Sequence, residues 1–543
     1  MPCLYEIIVH FELCIRKGCV LLASKVMSVS AALDLIKDGD TVVHSSASFA
    51  GCPDYVLKCL EDRYLETKHP AGLLLYAGCG HGRPGGYGGD DRFGHPGFLR
   101  RTICTHPDVV PNVRKLIENN EIEGYVFPQG VVHQLFRCAA AKQPGLLTKI
   151  GIGTYIDPRQ DGGKLNSITK EELVTLQIID GEEYLFFKTV PVNVAIFRGT
   201  SADELGNISI EEESLKLELL EIALAAKATG GKVIAQVKQV VANNSIKAKD
   251  VVVPGEIVDA VVVAEEIENY HRQTAGTIYS PFLSGELRCP PGDIAKPKEI
   301  LAADDIVCRR AVYEIHKGAI MNVGVGIGVG VGAVAAVEGI VDDVTFTLEL
   351  GAFGGTPQSR ANFGSMINAT SFISHTSMFD YYHSGCLDIA FLGAAEVDSE
   401  GNVNVSRFGG RAAGQGGFID ISQTSKKVVF CTYFKAKDFD SSVEDGKLVI
   451  KNEGKVPKFV DKVEQITFNG KLSREKGQEV VICTERCVFQ LIKEGVMLTE
   501  IAPGVDLQRD ILDNMGFKPI ISDDLKVMDS RIFIPGRMGC FDS

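Results

Sequence analysis

Residues 322–333 read NVGVGIGVGVGA, residues 344–355 read VTFTLELGAFGG, and a short helical stretch ending near Gly339 joins them. The repeated glycines allow the backbone to approach a ligand closely, and the start of the following helix favours negative charge. The second stretch has a strand-like apolar run that ends at Glu349, just before a glycine-rich turn. This unit predicts an α/β fold with a ligand-binding edge.

The pattern of helix, turn and strand occurs twice along the chain. Residues 31–43 combine an amphipathic stretch, a Lys-Asp-Gly-Asp turn and a strand, and residues 311–322 repeat that order. Residues 194–207 and 389–402 form a second similar pair, because each runs from an apolar strand through an aspartate to a Gly-Asn turn. The sequence therefore predicts an internal duplication.

The duplication and the length of the chain both indicate two domains. A chain of 543 residues is too long for one ordinary hydrophobic core. Short apolar strands recur between helical stretches, as in α/β domains with mainly parallel sheets. We predict two similar open α/β domains, at 27–280 and 300–543, joined by a proline-rich linker at 281–299. Residues 1–26 are an extension without an assigned role.

The composition excludes several classes of function. The formal net charge is −14 and no dense Lys/Arg block is present, which argues against a nucleic-acid surface. The 15 cysteines include no Cys-x-x-Cys pair, so neither a disulfide framework nor a zinc site is expected, and Cys483 and Cys487 are predicted to be buried. The sequence contains no charge-free run of about 18 apolar residues, so no membrane-spanning helix is expected.

The residues alone leave the glycine tract open to two further interpretations. Gly330-x-Gly332-x-x-Ala335 fits the relaxed dinucleotide fingerprint, and Glu349 follows at the distance expected of a ribose-binding acid, about twenty residues on. An NAD-dependent dehydrogenase of the Rossmann type is therefore one alternative. Tight packing of a helix on a sheet, without any ligand, is the other.

Several separated motifs decide between these interpretations, because together they resemble the class I CoA-transferases, in the single-chain acetate or propionate CoA-transferase branch. The resemblance covers roughly residues 28–530. The motifs are Phe127-Pro128-Gln129-Gly130, Ile150-Gly151-Ile152-Gly153-Thr154, Arg198-Gly199-Thr200, Glu349 with Gly354-Gly355, Phe391-Leu392-Gly393-Ala394-Ala395-Glu396-Val397-Asp398, Gly401-Asn402-Val403-Asn404 and Gly416-Gly417-Phe418.

The resemblance implies a catalytic glutamate and two partners for it. In this family a glutamate attacks the acyl-CoA thioester and is converted to a glutamyl-CoA thioester, and its motif makes Glu349 that nucleophile. The side-chain amide of Gln129 and the backbone N–H of Gly417 are implied as donors to the oxyanion. These two residues come from different halves, so we expect the active site in the cleft between the domains. Because the nucleophile must stay ionised, we expect Glu349 to escape strong apolar burial.

The same resemblance implies how coenzyme A is held. Coenzyme A or acyl-CoA is expected as a substrate, with no permanently bound cofactor and no metal. Gly328 stands where the family commonly has proline, Leu350 replaces a smaller residue, and Ser384 interrupts a run of glycines. These departures motivate another alternative, a catalytically silent CoA-binding relative. The implied CoA-binding residues are Gly324, Val325, Gly326, Ile327, Gly328, Gly393 and Gly417.

The implied activity is reversible transfer of coenzyme A between a short-chain acyl-CoA and a carboxylate such as acetate or propionate. A homo-oligomer, dimer or tetramer, is expected. The expected location is the cytoplasm, or an organelle matrix if residues 1–26 act as a targeting segment. His81, His95 and His106 fall in a region predicted to be a mobile substrate-side loop, where one of them could serve as a general base, although the reaction does not require one.

Overall fold

A computed structural model describes residues 24–83 and 86–542 of the chain. Most of the predicted N-terminal extension, residues 1–23, lies outside the described residues. The first described residues join the fold directly, because Val26 forms a parallel bridge with Val261 and the Lys25 ammonium donates to the carbonyl oxygen of Val258 at 2.8 Å.

The N-terminal half is built on a seven-stranded sheet in which every neighbouring pair is parallel. Alternate side chains of its strands enter two different cores, so Leu74 and Tyr76 face one helical layer while Leu73 and Leu75 face the other. Burial on both faces explains why the strands read as apolar runs. In spatial order the strands are Ala260–Val263, Lys232–Val237, Val194–Arg198, Thr41–His44, Leu73–Ala77, Leu99–Cys104 and Glu123–Val126.

The C-terminal half is built on a ten-stranded mixed sheet with a parallel centre. Antiparallel strands extend it on both sides. Its strands in spatial order are Ser371–Phe372, Ala352–Phe353, Thr345–Leu348, Ile320–Val323, Ile389–Leu392, Lys427–Cys431, Glu479–Cys483, Cys487–Ile492, Gly495–Ile501 and Ile520–Val527.

Helices cover the two large sheets, and the chain also forms several smaller sheets. The α-helices are Val29–Leu33, Asp54–Thr67, Pro111–Glu118, Gln129–Ala140, Leu219–Ala228, Ile267–Tyr270, Pro281–Ser284, Pro291–Ile294, Ala303–Ala311, Gly330–Glu338, His375–His383, Phe418–Thr424 and Gly470–Glu475. The smaller sheets include Gly145–Thr148 with Val174–Ile179 and Glu182–Lys188, Ser201–Asp203 with Ile208–Ser209 and Gln239–Val241, and Asp440–Glu444 with Lys447–Asn452. None of the helices in residues 24–83 and 86–542 combines the length and apolar composition needed to cross a membrane.

The two halves repeat one topology. The strands Thr41–His44 and Ile320–Val323 hold the same central place in their sheets. The two Gly-Asn turns also match in detail, because Asp203 accepts from the backbone N–H of Asn207 at 2.9 Å and Asp398 accepts from that of Asn402 at 3.0 Å. The prediction of two similar open α/β domains with mainly parallel sheets is confirmed.

One hydrophobic core continues from the first half into the second, and it contains both Phe136 and Phe379. The backbone of the first half comes close to the second at Gly130, whose N–H donates to Asp420 Oδ2 at 3.1 Å. A Cβ atom at position 130 would lie 2.5 Å from Asp420 Oδ1 and 2.6 Å from the ring of Phe379. Only glycine fits there, and this contact brings the start of the helix Gln129–Ala140 to the second half.

A buried guanidinium, that of Arg309, holds residues 531–536 of the C-terminal segment. Arg309 is 5% exposed, and its nitrogens donate to backbone carbonyl groups of that segment at 2.7–2.8 Å, namely those of Arg531, Ile532, Ile534 and Gly536. Its planar fork of donors suits this task, and an ammonium group cannot reproduce it.

We predict that Arg309→Lys loosens the C-terminal segment without unfolding the sheets. Hydrogen bonds to a charged group contribute about 1.5–3 kcal/mol each, so loss of one or more should raise amide hydrogen exchange across residues 531–536 by at least about tenfold. Arg63→Lys, which alters an exposed ion pair with Asp34, is the matched control. Unchanged exchange in Arg309→Lys would contradict this anchoring role.

Candidate active site

The Glu349 carboxyl group lies directly after the strand Thr345–Leu348, and it is only 8% exposed. Asn322, at the same end of the neighbouring strand, donates from Nδ2 to Glu349 Oε2 at 3.3 Å. The same amide nitrogen lies 3.2 Å from the hydroxyl oxygen of Tyr382, which is fully buried. The parallel pairing of two strands thus places the carboxyl group and its hydrogen-bond donor side by side.

The expectation that Glu349 escapes strong burial is wrong. Burial raises the pKa of this carboxyl group above 4.5, and the hydrogen bonds from its own backbone N–H and from Asn322 only partly offset that rise. The physical reason is its position at a strand end, where core residues surround it on the protein side. Hydrogen-bond donors, and not exposure to water, favour the charged form of this carboxyl group.

Gln129 begins the helix Gln129–Ala140 and is 2% exposed. Its backbone N–H donates to the carbonyl oxygen of Gly416 at 3.1 Å, which ties the start of this helix to the second half. Its side-chain nitrogen lies 2.7 Å from Nε2 of His375 and 3.4 Å from Sγ of Cys79. Its side-chain oxygen faces Gly416, where a Cβ atom would lie 3.4 Å away.

Gly417 caps the N-terminus of the helix Phe418–Thr424. Within the described residues its backbone N–H has no hydrogen-bond partner, whereas the N–H groups of Gly416 and Phe418 on either side are both paired. An unpaired N–H at the start of a helix is suited to receive negative charge. The preceding Gly416 has a φ of +54°, a conformation that glycine adopts readily.

A cavity of about 780 Å³ joins these groups in the cleft between the halves. Glu349, Gln129 and Gly417 all line it. The residues predicted for CoA that also line it are Gly324, Val325, Gly326, Ile327 and Gly393.

Gly328 is the exception among the predicted CoA residues, because it is not part of the cavity lining. It packs against the neighbouring strand, where a Cβ atom would lie 2.9 Å from the carbonyl oxygen of Phe391. Close backbone packing accounts for glycine at this position, and contact of Gly328 with coenzyme A stays a prediction.

Of the three histidines considered for general-base catalysis, only His106 lines the cavity. Burial lowers its pKa below 6.5. His95 lies 2.7 Å from Glu61, and Nε2 of His81 accepts from the backbone N–H of Cys79 at 3.1 Å. His81 and His95 therefore form hydrogen bonds within the protein and do not line the cavity.

Sequence reasoning missed several residues of the site. Lys296, Lys298 and Arg360 line the cavity although no Lys/Arg block marks them in the sequence. Asn322 could have been noticed, because it is a polar residue near the end of a strand beside the glycine tract. His375 carried no signal, since it lies on a helix far from Gln129 in the sequence.

The absence of a metal stays a prediction. Cys483 and Cys487 are fully buried, as predicted, within the apolar core. Two other groups of buried side chains carry donor atoms close enough to share an ion, and they are His44 with His81 and Asp90, and His133 with Glu218 and His375.

The sequence is similar to a known protein family and to individual proteins of known activity. Residues 26–264 match the family model described as Coenzyme A transferase. The chain is 45% identical to caffeate CoA-transferase of Acetobacterium woodii, over 94% of this chain and 97% of that protein. It is 43% identical to acetate CoA-transferase YdiF of Escherichia coli K12, over 89% of this chain and 90% of that protein.

A solved structure agrees over the whole length. The crystal structure of the acyl-CoA transferase YdiF from E. coli O157:H7, described as a thioester complex with CoA, superposes with a TM-score of 0.88. That match has 41% identity and covers 95% of this chain and 97% of the other.

We predict that Glu349→Gln stabilises the folded protein at neutral and alkaline pH. The raised pKa means that ionisation is less favourable in the folded than in the unfolded state, so the wild type loses stability relative to the variant as pH rises through that pKa. At pH 8 the thermal midpoint should rise by about 1 °C for each kcal/mol recovered, because the unfolding entropy is about 2.1 cal/mol/K per residue and the chain has 543 residues. The difference should vanish at low pH, where both side chains are neutral.

Glu494→Gln, at an exposed position, is the control and should show neither effect. A Glu349→Gln protein that melts at or below the wild-type temperature at pH 8 would contradict the cost assigned to this buried charge.

Proposed function

The chain belongs to the coenzyme A transferase family, and we propose that it transfers coenzyme A reversibly between short-chain acyl-CoA and carboxylates of the acetate and propionate type, through a glutamyl-CoA thioester on Glu349. The observation that carries this proposal is that residues of both halves line one cavity. One carboxyl group, Glu349, faces Gln129 of the first half and Gly417 of the second. A ribose-binding acid would need neither of these partners, and this disfavours the dehydrogenase alternative.

The proposed reaction begins with attack of a Glu349 oxygen on the thioester carbonyl carbon of acyl-CoA. The C–S bond breaks, a mixed anhydride forms, and CoA leaves as a thiolate. The thiolate then attacks the Glu349 carbonyl carbon, which releases the donor acid with one former Glu349 oxygen and leaves the glutamyl-CoA thioester. The acceptor carboxylate reverses both steps, and no proton is gained or lost. Holding the reactants together offsets the weak nucleophilicity of a carboxylate.

Each attack creates an oxyanion, and Gln129 and Gly417 are proposed to stabilise it. The Gly417 N–H is without a partner in the described residues, and the Gln129 amide adjoins Gly416 on the same side of the cavity. Preorganised donors of this kind contribute about 2.7–4 kcal/mol each to stabilisation of a transition state. The halves must be docked for these two donors to converge.

Coenzyme A is proposed to enter along the glycine tract. Gly326, with a φ of +103°, has open space where a side chain would stand, and Gly393 lies opposite Val325. Lys296 and Arg360 are exposed on the cavity wall and have no ion-pair partner among the described residues, so they are proposed to meet the phosphate groups of coenzyme A. These two cations support the proposal that a chain with a net charge of −14 can bind an anion at this cavity.

The identity of the acyl group is a finer part of the proposal. Small or modest side chains from the first half line the same cavity as Glu349, among them Ser48, Cys79, Gly80 and Val109. The two similar relatives are described as acting on caffeate and on acetate. One methylene changes discrimination by only about 1–3 kcal/mol, so a series of acceptor acids of increasing size is needed to rank them.

We predict that the purified protein converts acetyl-CoA and propionate to propionyl-CoA and acetate with ping-pong kinetics. Glu349→Gln should lower the rate by at least about a thousandfold, because no nucleophile remains, while coenzyme A still binds. Chromatography of the acyl-CoA pool measures the rate. Full activity in Glu349→Gln would exclude this mechanism. Binding of coenzyme A without turnover of acetate, propionate or caffeate would favour the silent relative, and nicotinamide binding would favour the dehydrogenase.

We also predict an acidic limb in the pH profile of the first half-reaction. Only the carboxylate attacks, so the rate falls as pH falls through the raised pKa of Glu349, above the value of 4.5 that an unperturbed glutamate would give. Asn322→Leu removes a hydrogen bond that favours the charged form, and it should move the limb upward by about 1 pH unit. Tyr382→Phe, which leaves the Glu349 hydrogen bond in place, is the control. An unmoved limb in Asn322→Leu would contradict this assignment.

A further inference from the structure

One polar side chain on the cavity wall, that of His106, has no part in the proposed acyl transfer. Within residues 24–83 and 86–542 neither of its ring nitrogens forms a hydrogen bond. Its Nδ1 atom lies 3.5 Å from the position that a Cβ atom would take on Gly416, and the side-chain oxygen of Gln129 lies 3.4 Å from the same position. The imidazole therefore lies beside the loop whose next residue, Gly417, has the unpaired N–H.

Backbone hydrogen bonds between the two halves hold His106 in this place. The carbonyl oxygen of Thr105 accepts from the N–H of Gly416 at 2.9 Å, and the N–H of Asp108 donates to the carbonyl oxygen of Ala413 at 3.2 Å. These bonds flank His106 on both sides in the sequence. Because its backbone is fixed and its ring nitrogens are free, the imidazole is preorganised to bind a ligand.

The part of the cavity wall around His106 carries no other ionisable cation. A Cβ atom on Gly80 would lie 3.2 Å from Cγ2 of Val109 and 3.3 Å from Cβ of His106, so two segments of the first half form one wall. The other first-half residues that line the cavity are Ser48, Cys79 and Gln129. The lysines and arginines that line it come from the predicted linker and the second half, and they are Lys296, Lys298, Arg309 and Arg360.

This first-half wall also adjoins the proposed nucleophile. Burial, followed by the nearby charge of Glu349, raises the pKa of the Cys79 thiol, so this thiol keeps its proton. The carbon chain of an acyl group on Glu349 would therefore meet an uncharged wall, in which the His106 imidazole is free to form hydrogen bonds.

The chemistry of a neutral imidazole limits what this wall can recognise. Burial lowers the pKa of His106 below 6.5, although the nearby charge of Asp108 opposes that shift, so the ring is neutral near pH 7. A neutral imidazole has one N–H donor and one acceptor nitrogen. It can bond a hydroxyl or carbonyl oxygen, but it supplies no positive charge to a second carboxylate. An acyl group without such an oxygen would cover the ring and leave it unpaired, which is unfavourable.

We propose that His106 is a specificity-determining residue, which forms a hydrogen bond with an uncharged oxygen substituent on C2 or C3 of the acyl group. These are the carbons nearest to the reacting carbonyl group, and Nδ1 of His106 is correspondingly close to Gly416, the residue before the proposed oxyanion donor. The inference rests on the proposed function, because it assumes that an acyl group enters this cavity. It predicts that an acid with such an oxygen is favoured by His106 over the unsubstituted acid of the same length.

The test compares three acceptor acids with one carbon chain, namely butyrate, 2-hydroxybutyrate and 3-hydroxybutyrate, with acetyl-CoA as the donor and the enantiomers used separately. The measured quantity is the ratio of kcat/KM for each hydroxy acid to that for butyrate, which does not depend on the fraction of folded protein. In His106→Leu we expect this ratio to fall by about 5- to 10-fold for at least one hydroxy acid. In His106→Asn, whose amide nitrogen takes the place of Nδ1, the ratio should stay within about twofold of the wild type.

The control is His69→Leu, at an exposed histidine that does not line the cavity, and it should leave the ratios unchanged. Ratios in His106→Leu that stay within about twofold of the wild type would overturn the inference. Ratios that fall equally in His106→Leu and His106→Asn would also overturn it, because they would assign the effect to the shape of the imidazole and not to its hydrogen bond.

A binding measurement separates this inference from the proposed function. In Glu349→Gln, which lacks the proposed nucleophile, addition of His106→Leu should raise the Kd of the favoured hydroxybutyryl-CoA relative to that of butyryl-CoA by about 5- to 10-fold. An unchanged relative Kd would overturn the inference. A wild-type protein that transfers coenzyme A to none of the three acids is a different result, because it removes the proposed function while the binding measurement still decides the role of His106.

Discussion

The Glu349 carboxyl group is withdrawn from water, and the attack on a thioester that we propose for it requires it to be charged; these two opposing demands organise the rest of the site. Burial at the end of the strand Thr345–Leu348 raises its pKa, and a single side-chain donor, Asn322, opposes that rise. Withdrawal from water removes the solvation that would weaken a nucleophile and a hydrogen-bonded oxyanion. The charged form of Glu349 is therefore energetically unfavourable at the place where the reaction is proposed to occur.

The duplicated architecture makes this arrangement available. Each half is built on a sheet with a parallel centre, and loops at the strand ends of both halves line a common cleft. The proposed nucleophile, Glu349, comes from one half and the amide of Gln129 from the other, and glycine at position 130 allows the two halves to approach closely. The hydrogen bond between Gln129 and His375 crosses the same boundary, so assembly of the site and docking of the halves depend on one set of contacts.

Much of this organisation was predictable from the sequence because it rests on local patterns. The repeat, the strand before Glu349 and the glycine tract are periodicities or short motifs, and they appear where they were predicted. Burial of Glu349 was predicted wrongly, since burial depends on which distant segments cover a strand end. Gly328 was assigned to the ligand because a glycine tract alone does not distinguish contact with coenzyme A from contact with the neighbouring strand. His375 and Glu218 could not be found, because their contacts with each other and with Gln129 span long sequence separations.

The central claim is that Glu349 carries coenzyme A during the reaction, and peptide mapping by mass spectrometry tests it most directly. The wild-type protein would be exposed to acetyl-CoA, treated with hydroxylamine and digested, with Glu349→Gln processed in parallel. We expect a hydroxamate on the peptide that contains Glu349, and none in the variant. Modification of Cys79 or Cys308, two thiols on the cavity wall, or no modification of the Glu349 peptide while coenzyme A is being transferred, would contradict the account.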